Sequence, residues 1–383
     1  LKTHPTFCVA MYNYIRIDSD YAIRPCCTIF LEEDIHTVEE YMNSKYIQDL
    51  KLRMYNGERL KECRWCWQRE QNNLPNQRHQ YNQMALGVKE VPRAITNKIY
   101  NNDSIIYADI KIGNRCNFSC AMCHPGDSSQ ILNKYLKHKD NEFVKEYEQQ
   151  FPGNMDPNAN TFYRNRSVET LDYALSLPHI KDIKLLGGEP LLEKEFINKL
   201  INVPNDKKQK LRLHFVTNAS FNLVDVVERL GPYKLISIQP SLEGIGITQD
   251  YIRKGSRWNE VEKNILDLLD KQYSNVHVGV NSVIQILNLS TIHELSAWGK
   301  QHGISIDFSL LEQPKYLSVG IIDQSTRELL LKDSSLINYV KEPVYTPELQ
   351  EKFKRYIKFY EIDHTMQLEK IQPELYKAIT TRR

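Results

Sequence analysis

The sequence predicts an α/β protein built on a parallel sheet that curls into a full or partial barrel, and two observations predict it. From about residue 106, short β-branched runs alternate with longer amphipathic segments, which is the signature of parallel β/α units. Six such runs read as strands, near Tyr107–Gly113, Asp182–Leu186, Leu211–Val216, Lys234–Gln239, Asn275–Ile284 and Ile304–Leu310. Between them, Asn259–Leu269 and Ser290–Lys300 show the three-to-four apolar spacing of helices. A sheet of this kind binds ligands at the C-terminal ends of its strands, so residues that directly follow a strand are the first to inspect.

The barrel is predicted over residues 106–314, preceded by a separate unit at 1–92 and joined to it by a polar linker at 93–105 that includes Asn101-Asn-Asp103. Residues 315–383 read as a helical extension, in which Glu348–Tyr360 has an apolar side that packs on the barrel. Between the first and second barrel strands lies a long excursion. Its stretch Phe151-Pro-Gly-Asn-Met-Asp-Pro-Asn158 is rich in turn formers and predicts a loop over the barrel mouth.

With 41% hydrophobic and 26% charged residues over 383 positions, the composition is that of a globular protein with a sizeable core. No stretch approaches the ~18 apolar residues needed to span a bilayer, and Leu1-Lys-Thr-His-Pro5 lacks the apolar core of a signal peptide. The expectation is a cytoplasmic protein without membrane contact. A formal net charge of +2 is no footprint for a polyanion, which leaves nucleic acid neither argued for nor excluded. The 8 cysteines point to metal or redox chemistry before disulfides. Cys8, Cys26, Cys27, Cys63 and Cys66 form one group and Cys116, Cys120 and Cys123 a second, which suggests two metal centres.

Cys116-Asn-Phe-Ser-Cys120-Ala-Met-Cys123 directly follows the first barrel strand. Three thiolates at this spacing suit three corners of a cubic iron–sulfur cluster and leave the fourth iron open, unlike the four-cysteine closure of an electron carrier. A structural zinc site with a distant fourth ligand, or unliganded buried thiols, are the plainer readings. After the second strand comes Gly187-Gly-Glu-Pro190.

Together these motifs resemble the radical S-adenosylmethionine superfamily. The resemblance implies a partial (β/α)6 TIM-like barrel, with a 4Fe-4S cluster on Cys116, Cys120 and Cys123 whose open iron is chelated by S-adenosylmethionine. In that arrangement Gly187 and Gly188 let backbone approach the ligand, and Glu189 accepts a hydrogen bond from its ammonium. A glycine turn with a solvated glutamate is the alternative. Asn218 and Ser220, in Thr217-Asn-Ala-Ser220, stand where relatives contact the ribose, although a helix N-cap fits there too. Ser241-Leu-Glu-Gly244 resembles the Ser-Leu-Asp-Gly of relatives. This makes Ser241 a cofactor contact and Glu243, in place of Asp, the one candidate for proton transfer. Arg253 is taken ahead of Arg257 for the S-adenosylmethionine carboxylate, with a surface role open to both. Met122 replaces the aromatic residue that often lies against the adenine.

Cys8, Cys26, Cys63 and Cys66 resemble the ligands of a twitch or SPASM domain holding a second, auxiliary 4Fe-4S cluster, here placed before the barrel, with Cys27 left spare. Supporting details are a hairpin ending at Pro25-Cys26-Cys27, a helix opening at Tyr41-Met-Asn-Ser44, and Gly57-Glu58 ahead of the Cys63 pair. Four thiolates with a Cys-x2-Cys pair also make a zinc site.

The resemblance implies a reaction. An electron donor such as flavodoxin or ferredoxin reduces the open cluster, S-adenosylmethionine is cleaved to a 5′-deoxyadenosyl radical, and hydrogen is abstracted from a peptide or small-molecule substrate. The auxiliary cluster accepts or relays the electron, for net oxidation or cross-linking. Asn281, Gln285 and Asn288, or Thr161-Phe-Tyr-Arg-Asn165, are candidates to line the mouth. Alternatives are an RNA- or nucleotide-modifying enzyme on the same core, and a non-catalytic iron–sulfur or zinc-binding protein.

Overall fold

The computed structural model describes residues 4–18, 22–71, 76–85, 105–156, 159–332, 334–340 and 347–380, with the backbone alone described at 84–85, 159–167, 334 and 338–339. The linker expected at 93–105 lies, up to residue 104, outside the described residues, as do Pro157 and Asn158 and the side chains of Thr161–Asn165.

Among the described residues eight strands make one sheet: β1 (Tyr14–Ile17), β2 (Ile23–Arg24), β3 (Tyr107–Lys111), β4 (Asp182–Leu186), β5 (Arg212–Thr217), β6 (Leu235–Pro240), β7 (Val276–Ile284) and β8 (Ser305–Leu310). The order is β2-β1-β3-β4-β5-β6-β7-β8, parallel throughout except for β2 against β1. Among the described residues the two end strands are not joined to each other, so the sheet is an open one. Period-two alternation builds it. Ile183 and Leu185, Leu213 and Phe215, and Ile236 and Ile238 are fully buried. The residues between them, Lys184, His214 and Ser237, point to the other face and are polar.

The N-terminal residues do not stand apart from this sheet. β1 runs parallel beside β3, with Tyr14 opposite Tyr107 and Ile17 opposite Ile110, and the apolar core is continuous from Phe7 to Ile379. The expected hairpin is β1–β2. Ser44 caps the helix Lys45–Tyr55 by accepting from the Ile47 N–H at 3.2 Å.

The excursion after the cysteine triad differs from the expected loop. It forms helices Ser129–Lys137, Glu142–Gln150 and Ala159–Ser176, and the turn formers make a single short turn, Pro152–Met155, with Met155 buried. Its first helices lie against the C-terminal helix Pro347–Glu361. Tyr135 and Phe359 meet edge to face at 5.1 Å, and Glu146 pairs with Lys352 at 2.6 Å and Arg355 at 3.0 Å. No helix among the described residues is long and apolar enough to cross a membrane.

Candidate active site

The cysteine triad occupies a loop at the C-terminal end of β3, and neighbouring loops hold several of its backbone groups. Gly188 N–H donates to the Gly113 carbonyl at 2.7 Å and Glu189 N–H to that of Arg115 at 2.8 Å. A Cβ on Gly188 would lie 2.2 Å from the Arg115 oxygen, and one on Gly187, whose φ is +129°, 2.7 Å from that of Gly113. The glycine pair is thus required by the approach of two protein backbones to each other. On the opposite side Ser119 and Ala121 N–H donate to the carbonyls of Lys254 and Ile252, both at 2.8 Å. Below, Ser128 Oγ donates to the Phe118 carbonyl at 2.6 Å and caps the helix Ser129–Lys137.

Cys116 and Cys120 are buried around Phe118, with Met122 and Cys123 half-buried beside them. Burial pushes the Cys116 thiol up to about 12. Cys120 is instead held low by a hydrogen bond shared with Cys123 and by the Arg253 guanidinium, whose Nη1 lies 3.7 Å from its sulfur, while Cys123 is correspondingly raised. Among the described residues no three His, Cys, Asp or Glu side chains are gathered closely enough to hold a single ion. A cubic cluster sets its cysteines on different irons and does not need that convergence. Two buried thiols and one half-buried thiol beside one guanidinium suit such a group, because bound metal supplies the positive charge that stabilises thiolates out of water.

The glutamate of the Gly-Gly-Glu motif is buried, and its carboxylate accepts from Thr217 Oγ1 at 2.8 Å, Asn218 N–H at 2.7 Å and Leu191 N–H at 3.1 Å. Burial raises it to about 7 against these hydrogen bonds. It ties the β4 loop to the β5 loop. Asn218 donates in turn to Asn117 Oδ1 at 2.7 Å, and Asn117 to Ser220 Oγ at 2.9 Å, so both predicted ribose contacts meet the triad loop itself. Ser241 is half-buried at the end of β6, beside Asn281.

Two of the candidate residues, Glu243 and Arg253, engage each other. Glu243 has no exposed surface, and its carboxylate is taken by Arg253 Nη2 at 2.7 Å and by Val283 N–H at 2.8 Å. A carboxylate so enclosed is in place to fix Arg253. Arg253 accordingly spends one arm on Glu243 and turns the other to Cys120, whereas Arg257 is exposed and pairs with Glu260. Gln285 and Asn288, expected at the mouth, are fully buried, and Asn288 braces the Glu243 and Val283 carbonyls at 3.0 Å each.

Sequence reasoning missed the support from the C-terminal segment. Tyr356 donates its hydroxyl to the Ala121 carbonyl inside the triad, and Tyr360 donates to the Tyr251 carbonyl at 2.7 Å, just before Arg253. Residues this distant in sequence carry no local signal of such contacts.

The four N-terminal cysteines come together. Cys27, Cys8 and Cys63 act electrostatically on Cys26, Cys8 and Cys66 on Cys63, and Thr28 Oγ1 lies 3.7 Å from Cys26 Sγ and 3.8 Å from Cys66 Sγ. Burial raises all four thiols, Cys8 to about 12. Arg78, donating to the Pro5 and Phe7 carbonyls, is the cation that lowers Cys8, Cys63 and Cys66. The donor set fits a thiolate-bound metal group. Cys27 lies 3.6 Å from the Tyr81 hydroxyl, and burial raises its thiol.

Residues 110–298 match the sequence profile of the Radical SAM superfamily. An uncharacterized protein of Methanocaldococcus jannaschii is 23% identical over 260 residues, which cover 66% of this chain and 77% of that protein. The GTP 3′,8-cyclase of Brucella ovis is 23% identical over 215 residues, 55% of this chain and 53% of the cyclase, so the match spans about half the cyclase. Among solved structures, SuiB of Streptococcus suis gives a TM-score of 0.38 at 15% identity, covering 94% of this chain and 72% of SuiB. Native anSMEcpe with bound AdoMet gives 0.36 at 15%, covering 67% and 61%.

Proposed function

Because this chain is a radical SAM superfamily enzyme, we propose that it cleaves S-adenosylmethionine reductively and removes a hydrogen atom from a peptide or small metabolite, whose oxidation or cross-linking sends an electron to a second cluster in the N-terminal region. The cofactors, when bound, supply the one-electron cleavage that yields the 5′-deoxyadenosyl radical. The chain's own residues do the rest. Cys116, Cys120 and Cys123 hold the first cluster, and Arg253, fixed by Glu243, sets a positive charge against Cys120. Gly187, Gly188, Glu189, Asn218, Ser220, Ser241 and Met122 surround the place for S-adenosylmethionine. Cys8, Cys26, Cys63 and Cys66 hold the auxiliary cluster, and an external one-electron donor of the flavodoxin or ferredoxin kind reduces the first.

The observation that carries this reading is the meeting of the triad loop with the Gly187-Gly-Glu189 and Asn218–Ser220 loops at the C-terminal ends of adjacent parallel strands. A nucleotide substrate is the second reading, favoured by the 23% identity to a GTP 3′,8-cyclase. The test is iron and sulfide content of anaerobically purified protein, then incubation with dithionite and S-adenosylmethionine. About eight irons per chain, two cubic clusters, with 5′-deoxyadenosine formed is the expected result. About four irons with zinc would remove the electron-accepting role, and no iron with no cleavage would overturn the proposal.

A further inference from the structure

Gly255 brings bare, exposed backbone against the triad loop. A Cβ built on it would lie 3.3 Å from Phe118 Cα and 3.0 Å from the Asn117 carbonyl oxygen, and its φ of +106° excludes a side chain that could thicken this cover. Phe118 N–H in turn lies 3.4 Å from Cys116 Sγ. With ordinary bond lengths the exposed Gly255 backbone therefore stands within about 10 Å of a cluster-ligand sulfur.

The turn that follows the helix Pro347–Glu361 is seated on the segment leading into Gly255. Tyr360 donates its hydroxyl to the Ile252 carbonyl at 3.1 Å, and His364 Nε2 lies 3.1 Å from the Tyr251 carbonyl. Ile362, in this turn, is 49% exposed. Cations surround it. Lys134 Nζ donates to the Tyr360 carbonyl at 2.8 Å, and Lys137 and His138 meet Asp363 at 3.5 and 3.2 Å. Half-buried Lys254 precedes Gly255, and exposed Arg257 follows two residues on. The carboxylates of this face are already engaged: Asp363 by Lys137 and His138, Glu260 by Arg257 at 2.9 Å, and Glu361 by the Tyr251 hydroxyl at 2.9 Å and Leu368 N–H at 2.7 Å. Burial lowers the Lys134 ammonium to about 8, and repulsion from Lys254 and Lys137 adds to this against Asp363. Such crowding of like charges leaves the face with positive potential to offer a partner.

We propose that this face, an exposed isoleucine rimmed by cations beside the Gly255 backbone, is the docking surface for an acidic one-electron carrier protein that reduces the triad cluster. The inference deepens the proposed function and rests on it for the presence of that cluster. One electron passes, the carrier being oxidised and the cluster reduced, with no atom exchanged. Electron tunnelling falls exponentially with distance, so a carrier must seat where the cover over the triad is thin. An apolar centre with a charged rim is the anatomy of a protein interface, and opposite charge on the carrier speeds and orients its approach.

The test drives S-adenosylmethionine cleavage in the two-cluster enzyme by two routes and reads 5′-deoxyadenosine without added substrate. One route is dithionite; the other is a bacterial flavodoxin or ferredoxin kept reduced by NADPH and its reductase. Lys137→Glu and Ile362→Asp should each lower the carrier-driven rate at least about tenfold at low carrier concentration, with the dithionite-driven rate held within about twofold. Lys210→Glu, an exposed position just before β5 and so at the opposite end of the sheet from the triad, should change neither. Added salt should slow the carrier-driven rate of wild type. Apart from turnover, calorimetry should show oxidised flavodoxin or ferredoxin binding each variant about tenfold more weakly than wild type. Carrier-driven rate and binding unchanged in both variants, or an equal fall in the dithionite-driven rate, overturns the inference. So does cleavage with dithionite but with neither carrier. Dithionite failing as well would overturn the proposed function, and the inference with it.

Discussion

Replacing Glu243 by Ala tests whether this carboxylate is structural or chemical. The side chain is fully buried and neutralises Arg253, whose own side chain is 13% exposed. Removing one partner of a buried ion pair leaves an uncompensated charge, which costs about 3–5 kcal/mol. The Val283 N–H loses its acceptor at 2.8 Å as well, but the two losses share a site and do not simply add. The expected destabilisation is thus about 3–5 kcal/mol, against a total that for ordinary domains is about 5–15 kcal/mol. Urea unfolding under anaerobic conditions reads it as a lower midpoint with an unchanged slope. The double variant Glu243→Met/Arg253→Met should be less destabilised than Glu243→Ala, because it removes the orphaned charge along with its partner. Iron bound at the triad should fall in step with stability. The reasoning is refuted if Glu243→Ala unfolds like wild type and still cleaves S-adenosylmethionine while product formation collapses, since that pattern belongs to a group acting on the substrate.

Cys120→Ala should abolish 5′-deoxyadenosine formation, whereas Cys63→Ala should keep it and lose product; loss of both in Cys63→Ala would make the N-terminal cysteines structural. Gly188→Ala places a Cβ 2.2 Å from the Arg115 carbonyl. It should expel the triad loop, so iron at that site drops while the N-terminal site, read by its own spectroscopic signal, is retained. Tyr356→Phe removes the hydroxyl that the Ala121 carbonyl accepts and should cost about 1–3 kcal/mol, the range for leaving a buried acceptor unpaired, seen in the melting temperature. Glu189 is raised by burial from 4.5 to about 7, so its neutral form favours the fold. That contribution is complete below about pH 4.5 and is lost as pH rises through about 7, amounting to about 3 kcal/mol. Without S-adenosylmethionine, wild type should therefore lose stability relative to Glu189→Gln between pH 5 and 8, and parallel pH profiles would refute this.

Much of the barrel was legible because its signal is local. Asp182–Leu186 alternates between a face that must be buried, Ile183 and Leu185, and one that need not be, and the structure gives that strand the same bounds. β1 and β2 were not legible as part of the same sheet. Four and two residues carry too little periodicity to name a partner, and the pairing of β1 with β3 joins residues some ninety positions apart. The excursion went astray for a related reason. Pro152, Gly153 and Asn154 announce a turn, and a turn is what they make, but turn chemistry says nothing about whether the flanking residues pack on a mouth or on a neighbouring helix.

At the site, the sequence identifies residue types and leaves their engagements open. Gly187-Gly-Glu189 reads as a ligand contact from its motif, yet the same three residues are what lets the β4 loop lie against the triad loop and join the β5 loop. The two roles are compatible, because a loop that must offer backbone to a small molecule has first to be held still. Glu243 and Arg253 show the opposite case, where two polar residues picked separately for chemistry turn out to neutralise each other.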